Sequence, residues 1–294
     1  MSARPSANDS IDIRHHHVDV GGVRLHVAEA GSGPLVVLLH GFPEIWYTWR
    51  RIIPPLVRAG FRVVAPDMRG YNLSDKPKGV AAYGVRALAA DIAGLITALG
   101  AERASVVGHD WGAGVAWSFA MAHPDKLDRL AILNGPHPER MLEGLRRPSQ
   151  ILKSWYMFVF FLPKLAETIL PRGDYALLTK AFRNDPIRRD AYTEADIAIY
   201  REAWSQPGAL TAMVNYYRAM PYPSLRMDLT PIHAPTLVIW GDRDAYLGPD
   251  LAAPPARLVP NARVEHIADA SHWIQHDHPE LVSEKLVTFL RGEA

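Results

Sequence analysis

The chain has 294 residues, of which 48% are hydrophobic and 21% are charged, a balance that is typical of a folded globular protein. Its formal net charge of +1 at pH 7 gives no reason to expect binding to nucleic acid or to an anionic membrane. The absence of cysteine excludes disulfides, thiolate metal sites and a cysteine nucleophile.

The start of the chain carries no secretory signal pattern, because its first residues are polar. The longest apolar run, from Trp155 to Leu162, is far shorter than the roughly 20 residues of a membrane helix. We therefore expect a cytoplasmic protein. Three consecutive histidines, His15, His16 and His17, would alternate between the faces of a strand and lack the spacing of a metal site. We expect them to lie on a partly exposed strand edge.

Short β-branched segments alternate with helical patterns through the first half of the chain, and the alternation resumes after residue 228. The stretch 49–59 is amphipathic and contains two prolines. The predicted strands are 23–28, 35–39, 62–65, 104–107, 130–133, 236–240 and 262–267, and the predicted helices are 83–99, 112–123, 250–258 and 279–290. Such alternation predicts a mostly parallel sheet that is covered by helices on both faces.

Between about residues 135 and 228 the pattern changes. Helical segments that are rich in aromatic residues and arginine, and are interrupted by prolines, replace the buried strands. The simplest interpretation is a sheet domain split by a helical insertion. Such an insertion would close a pocket over the carboxyl ends of the strands, where open α/β sheets bind ligands.

The segment 106–114, VVGHDWGAG, follows a predicted strand and opens a helix. It has the form of a nucleophile elbow, in which a strained turn projects one side chain above the sheet. Asp110 occupies the nucleophile position between Gly108 and Gly112, and the N–H of Trp111 would lie at a helix N-terminus that favours negative charge. On its own, this pattern also allows Asp110 to be a helix N-cap.

An aspartate at this position decides the chemistry. A serine would form acyl-enzymes from esters or amides, whereas a carboxylate attacks a saturated, electrophilic carbon and gives an alkyl ester of the enzyme. Water must then attack the carbonyl carbon of that ester, so a base and an oxyanion hole are still required.

From about residue 18 to the C-terminus the chain resembles the epoxide hydrolases of the α/β-hydrolase superfamily. The motifs that carry the resemblance are HGFPE at 40–44, PDMRGY at 66–71 and the segment 108–117 around Asp110. Asn72 stands where many relatives have glycine.

The resemblance implies an α/β-hydrolase fold, with a mostly parallel eight-stranded sheet flanked by helices and a helical cap inserted after the sixth strand. The core would comprise 18–135 and 229–294, and the cap would comprise 136–228. The resemblance also implies an oxyanion hole formed by the backbone N–H groups of Phe42 and Trp111.

Four histidines near the last predicted strand are candidates for the base: His266, His272, His276 and His278. His266 falls inside the strand pattern, and His276 and His278 lie next to the final helix, whereas His272 sits in the loop. The sequence ASHW at 270–273 also matches a family motif, which favours His272.

The acid that orients the base should follow strand 236–240, where Asp242 and Asp244 are both candidates. The resemblance assigns Asp244 to this role and leaves Asp242 as a turn residue.

Opening an epoxide also requires a proton donor for the oxygen that leaves the attacked carbon. The resemblance implies two cap tyrosines, which correspond to Tyr156 and Tyr217, with Tyr216 as the chief competitor of Tyr217. Without the resemblance, a tyrosine in an aromatic cap would more often serve packing. The candidate walls of an apolar substrate pocket are Trp155, Phe158, Phe160, Phe161 and Trp273.

The expected function is hydrolysis of a small-molecule epoxide to a vicinal diol through an ester of Asp110, without a metal or cofactor, by a monomer or homodimer. A haloalkane dehalogenase is the nearest alternative, because it uses the same Asp/His/Asp logic. Such enzymes usually place a second halide donor where Phe42 lies, and phenylalanine has no side-chain donor. A noncatalytic relative that binds a hydrophobic ligand is the third possibility, but none of the expected catalytic groups is missing.

Overall fold

A computed structural model describes residues 11–225 and 228–293, which form a single eight-stranded sheet with helices on both faces. The strands are β1 Arg14–Asp19, β2 Arg24–Ala30, β3 Leu35–Leu39, β4 Arg62–Pro66, β5 Ala104–His109, β6 Leu127–Leu133, β7 Thr236–Gly241 and β8 Ala262–Ile267. Their spatial order is β1-β2-β4-β3-β5-β6-β7-β8. β2 is antiparallel to β1 and β4, and the other neighbouring strands are parallel. The expected fold class is confirmed.

The helices cover the sheet and also form a separate layer above its carboxyl edge. The α-helices are α1 Ile53–Arg58, α2 Val85–Ala98, α3 Trp111–Ala122, α4 Pro138–Gly144, α5 Pro148–Lys153, α6 Trp155–Phe161, α7 Leu165–Ile169, α8 Arg172–Asn184, α9 Glu194–Ser205, α10 Ala209–Ala219, α11 Ile274–Asp277 and α12 Pro279–Arg291. Short 3-10 helices span Trp46–Arg51, Val80–Tyr83, Pro124–Lys126, Pro223–Leu225 and Pro249–Leu251. None of the helices in the described part of the chain has both the length and the apolarity to cross a membrane.

The central strands are apolar along their whole length because both faces of the sheet are covered. In β3, Val36 and Leu38 belong to the core under α1 and α12, whereas Val37 and Leu39 belong to the core under α2 and α3. Alternate residues of a strand point to opposite faces, so a strand between two helical layers must be apolar at every position.

The predicted helix at 250–258 is wrong. Only a 3-10 turn forms there, at Pro249–Leu251. Pro254 and Pro255 follow after two alanines, and neither has a backbone N–H with which to continue a helix. The predicted amphipathic stretch 49–59 also divides, into a 3-10 helix and α1, with Pro54 and Pro55 in the first turn of α1.

Helices α4 to α10, together called the cap here, lie between β6 and β7 in the chain, and the described residues of this segment include no strand. The cap is attached to the residues that follow β3. Asp196 of α9 accepts a hydrogen bond from the Tyr47 hydroxyl at 2.9 Å and pairs with Arg50 at 3.1 Å. The Trp204 indole donates to the Pro43 oxygen at 2.7 Å.

Candidate active site

The candidate nucleophile lies in a strained turn between β5 and α3. Asp110 has φ 50° and ψ −117°, a conformation that costs a non-glycine residue about 1–3 kcal/mol. A Cβ at Gly112 would overlap the backbone oxygen of Leu39, so the turn can approach β3 only with glycine at this position. Although Asp110 stands at the N-cap of α3, its side chain makes no capping hydrogen bond. Its Oδ1 accepts the N–H of Phe42 instead, at 2.7 Å.

The other carboxylate oxygen of Asp110 faces an imidazole. Nε2 of His272 lies 3.6 Å from Oδ2 of Asp110, and Nδ1 of the same ring is 2.7 Å from Oδ2 of Asp244. The backbone N–H groups of Tyr246 and Leu247 donate to Oδ1 of Asp244 at 2.7 and 2.9 Å. Residues that follow β5, β7 and β8 therefore form one row of carboxylate, imidazole and carboxylate.

The two flanking carboxylates determine the protonation of this row. Burial opposes protonation of His272, but the carboxylates of Asp244, Asp110 and Glu44 outweigh it and raise the pKa of His272 to about 9. Burial also opposes ionisation of Asp244, yet its contacts with His272 and Asn134 hold the pKa of Asp244 below its usual value. At neutral pH the ring of His272 therefore carries a second proton and is paired with the carboxylate of Asp244.

Two cap tyrosines line the same cleft as Asp110, namely Tyr156 of α6 and Tyr217 of α10. Their ring centroids are 6.1 Å apart. Burial, with negative charge nearby that includes Asp110, raises the pKa of both hydroxyls far above the usual value of tyrosine. Both hydroxyls therefore stay protonated and can donate. The hydroxyl of the neighbouring Tyr216 donates its hydrogen bond to the backbone oxygen of Arg69 at 2.7 Å.

The cleft above Asp110 has a volume of about 300 Å³. Asp110 is the one charged side chain among the described residues that line it. Apart from the tyrosines, most of its wall is apolar and includes Trp111, Met141, Met157 and Met220. An apolar wall around one carboxylate and two hydroxyls suits an uncharged substrate that is opened by attack and protonated at the same time.

Comparisons with known proteins show the family to which the chain belongs. A family model described as the alpha/beta hydrolase fold matches residues 34–279. Epoxide hydrolase 4 of Homo sapiens is 36% identical over 280 residues, which cover 92% of this chain and 77% of that protein. The crystal structure of Bacillus megaterium epoxide hydrolase in complex with an inhibitor has a TM-score of 0.84 at 32% identity, and the match covers 94% of this chain and 100% of that one.

The chain belongs to the epoxide hydrolase family. It is therefore a hydrolase of the α/β fold. The AB hydrolase superfamily protein YfhM of Bacillus subtilis (strain 168) is 45% identical over 284 residues, covering 96% of this chain and 99% of that protein.

The competing candidates in this member of the epoxide hydrolase family lie outside the row formed by Asp110, His272 and Asp244. Asp242 pairs with His266 at 2.6 Å at the partly exposed edge of the sheet. Nε2 of His278 lies 3.2 Å from the backbone oxygen of Asp269, and His276 is completely buried beside Glu44. Within the described ranges, no three His, Asp or Glu side chains are grouped so that they could hold a metal ion.

None of the five expected wall residues lines the cleft. Trp155 and Phe158 are 62% and 54% exposed, on the outer face of α6. They lie three positions apart on one helical face, whereas Tyr156 and Met157 line the cleft. Trp273 is buried and packs edge-on against the His272 ring, with centroids 5.1 Å apart, so it supports that ring.

Sequence reasoning missed Asn134, which directly follows β6. Its side-chain N–H donates to Oδ2 of Asp244 at 2.8 Å, and its side-chain oxygen accepts the N–H of Gly241 at 2.9 Å. Asn134 thus ties the acid to the end of β7. The one signal in the sequence was an asparagine at the carboxyl end of a strand, a position that here also requires a positive φ of 40°.

A second buried network lies behind the row of Asp110, His272 and Asp244, and sequence reasoning missed it as well. Glu44 contacts Nδ1 of His109 at 3.0 Å and Nε2 of His276 at 3.2 Å. Burial would raise the pKa of Glu44, but these two histidines hold it well below its usual value. Nε2 of His109 in turn lies 2.8 Å from the backbone oxygen of His272. Glu44 lies in the motif HGFPE at 40–44, and His109 directly precedes Asp110 in the segment 108–117.

We expect Asp244→Asn to lower the pKa of His272 from about 9, because it removes the carboxylate that contributes most against the effect of burial. Titration of the ring signals by isotope-edited NMR measures the change. Asp242→Asn is the matched control, because Asp242 pairs with His266 instead. An equal shift in both variants, or no shift in Asp244→Asn, would contradict this assignment.

Proposed function

We propose that this protein hydrolyses epoxides to vicinal diols and that Asp110 forms a covalent ester with the substrate. The observation that carries the proposal is the cleft that Asp110 shares with two protonated hydroxyls, those of Tyr156 and Tyr217. An epoxide needs both groups, because its strained carbon accepts the nucleophile while its oxygen must receive a proton.

In the first step, Oδ2 of Asp110 attacks one ring carbon and the bond from that carbon to the epoxide oxygen breaks. The electron pair of the broken bond remains on the oxygen, which takes a proton from Tyr156 or Tyr217. Oδ1 then becomes the carbonyl oxygen of the ester. This assignment is supported by the Phe42 N–H, which already donates to Oδ1 at 2.7 Å. The N–H of Trp111 opens α3, where such groups have no partner within the helix.

Formation of the ester changes the electrostatics of the row. It removes the negative charge of Asp110, which is one of the causes of the raised pKa of His272. The imidazolium therefore becomes more acidic and releases its proton, which restores the tyrosine. The neutral ring, held by Asp244 at 2.7 Å, is now a competent base.

In the second step, His272 takes a proton from water as the water oxygen attacks the carbonyl carbon of Asp110. The oxyanion is stabilised by the N–H of Phe42, and a donor of this kind contributes about 3–4 kcal/mol. The ester bond to the substrate breaks, and the departing alkoxide takes the proton from His272. The new carboxyl group then ionises and returns its proton to His272. The sum of the steps is epoxide plus water to diol, with the resting charges restored.

The reaction class is tested by assaying diol formation and halide release in parallel, on matched small epoxides and haloalkanes. We expect the wild type to form diol, and we expect Asp110→Ala to lose roughly a thousandfold or more of that activity because its nucleophile is gone. Halide release without diol would make the protein a dehalogenase. If neither diol nor halide is formed, the remaining interpretation is a protein that binds its ligand without converting it.

The covalent route is tested with His272→Ala, which keeps the nucleophile and lacks the base. Incubation with a substrate epoxide should raise the intact mass of the protein by the mass of one substrate molecule, with the adduct on the peptide that contains Asp110. The variant that lacks both Asp110 and His272 should gain no mass. Steady diol formation by His272→Ala without an adduct would rule out the ester.

The proton donors are tested by measuring ester formation in a single turnover, in the His272→Ala background. Tyr156→Phe and Tyr217→Phe should each slow this step, and their combination should slow it by about 10²–10⁴-fold, the usual contribution of a general acid. Tyr216→Phe is the matched control and should have a much smaller effect, because its hydroxyl is bound to the Arg69 oxygen. Equal losses in all three single variants would refute the assignment.

A further inference from the structure

The cleft that contains Asp110 and Trp111 is also lined by Met157 and by two more exposed side chains, Leu142 at 44% and Leu229 at 38% exposure. These exposed leucines mark the open end of the cleft, whereas Asp110 and the tyrosines lie at its inner end. We call the part of the cleft that is lined by Met157, Leu142 and Leu229 the open arm.

Three aromatic rings close the opposite side of the nucleophile. Phe42 and Phe160 pack edge-on at 5.3 Å between centroids, and each also packs against Tyr217, at 5.4 and 4.9 Å. Phe160 is only 5% exposed, and neither phenylalanine lines the cleft. Rings packed at these distances fill the space between them, so a substituent cannot pass between them.

The gap between the base and the first tyrosine is also filled. The ring of Tyr246 packs edge-on against His272 at 5.2 Å and against Tyr156 at 5.7 Å. Its hydroxyl donates to Asp185, which follows α8 of the cap and holds the ring in this position. The reacting centre is therefore enclosed by Tyr246 on this side and by the Phe42–Phe160 pair on the other.

An epoxide ring with its oxygen near the tyrosines and one carbon at Asp110 directs the substituents of its two carbons to different sides. Here packed aromatic rings occupy the side of Phe42, Phe160 and Tyr246, and the cleft lies on the side of Met157. We infer that the substrates of this enzyme are epoxides substituted on one ring carbon, with a single apolar aryl or medium-length alkyl group in the open arm. The volume of about 300 Å³ lies at the lower end of small-molecule pockets and suits one such group. The inference rests on the proposed function and narrows it.

The test compares two isomers of equal composition, 1,2-epoxyhexane and trans-3,4-epoxyhexane. We expect the wild type to favour the terminal isomer in kcat/KM by about 10-fold or more, since a misplaced alkyl group costs at least that much in a closed pocket. Phe160→Ala removes the closing ring and should raise the ratio of internal to terminal kcat/KM by several-fold. The intrinsic reactivity of each isomer does not depend on the enzyme variant. It therefore cancels from the change in this ratio between wild type and variant, and the change reports the effect of the Phe160 ring.

Met157→Ala is the matched control, because it enlarges the open arm and not the closed side. It should leave the ratio no higher than in the wild type, while admitting larger terminal substituents. Phe160→Leu serves as a milder second variant in case Phe160→Ala does not fold.

Comparable kcat/KM for both isomers in the wild type would overturn the inference and leave the proposed function intact. An unchanged ratio in both folded Phe160 variants would overturn it as well. If no epoxide of either type is consumed by the wild type, the proposed function fails, and with it the substrate class.

Discussion

The geometry of the whole site depends on the strained backbone of Asp110. Its φ of 50° is maintained because β3 and β5 are parallel neighbours, with Leu39 paired to Gly108, so that the chain leaving β3 runs directly beside the turn that leaves β5. That adjacency brings the N–H of Phe42 to the carboxylate of Asp110 and leaves no space for a side chain at Gly112. The contact needed for an oxyanion is thus set by the register of the sheet, which is more rigid than a loop.

His272 is held in place by two separate contacts, one at its ring and one at its backbone oxygen. Asp244 fixes the ring, whereas His109, bound to Glu44, fixes the carbonyl of the same residue. Glu44 also contributes to the raised pKa of His272. Of the carboxylates around the base, only that of Asp110 loses its charge in the proposed ester. In the proposed mechanism, formation of the ester therefore activates His272 as a base, while Asp244, His109 and Glu44, which do not react, maintain its position.

The sequence allowed the central sheet and the main catalytic candidates to be predicted, because each follows from a local pattern. The elbow around Asp110 is a contiguous motif, and β3 has the predicted bounds because a fully buried strand is apolar throughout. The cap could not be predicted in the same way. Every residue of α6, WYMFVFF, is apolar or aromatic, so no periodicity distinguished the inward Tyr156 from the outward Trp155 and Phe158. Asn134 escaped prediction because its partners are distant in sequence.

The residues of the proposed mechanism come from two parts of the chain, the sheet and the cap, and one cap helix also carries a residue of the inferred substrate selectivity. The row of carboxylates and imidazole comes from residues after strands of the sheet, whereas the hydroxyls of Tyr156 and Tyr217 come from the cap. Phe160, on the same short helix as Tyr156, packs against Tyr217 at 4.9 Å. Phe160, which we infer to close one side of the cleft, therefore also supports Tyr217, a proposed proton donor. In the proposed mechanism, a substitution of Phe160 that admits a second substituent also loosens Tyr217, so we expect broader selectivity to come with slower ring opening unless another residue restores the support.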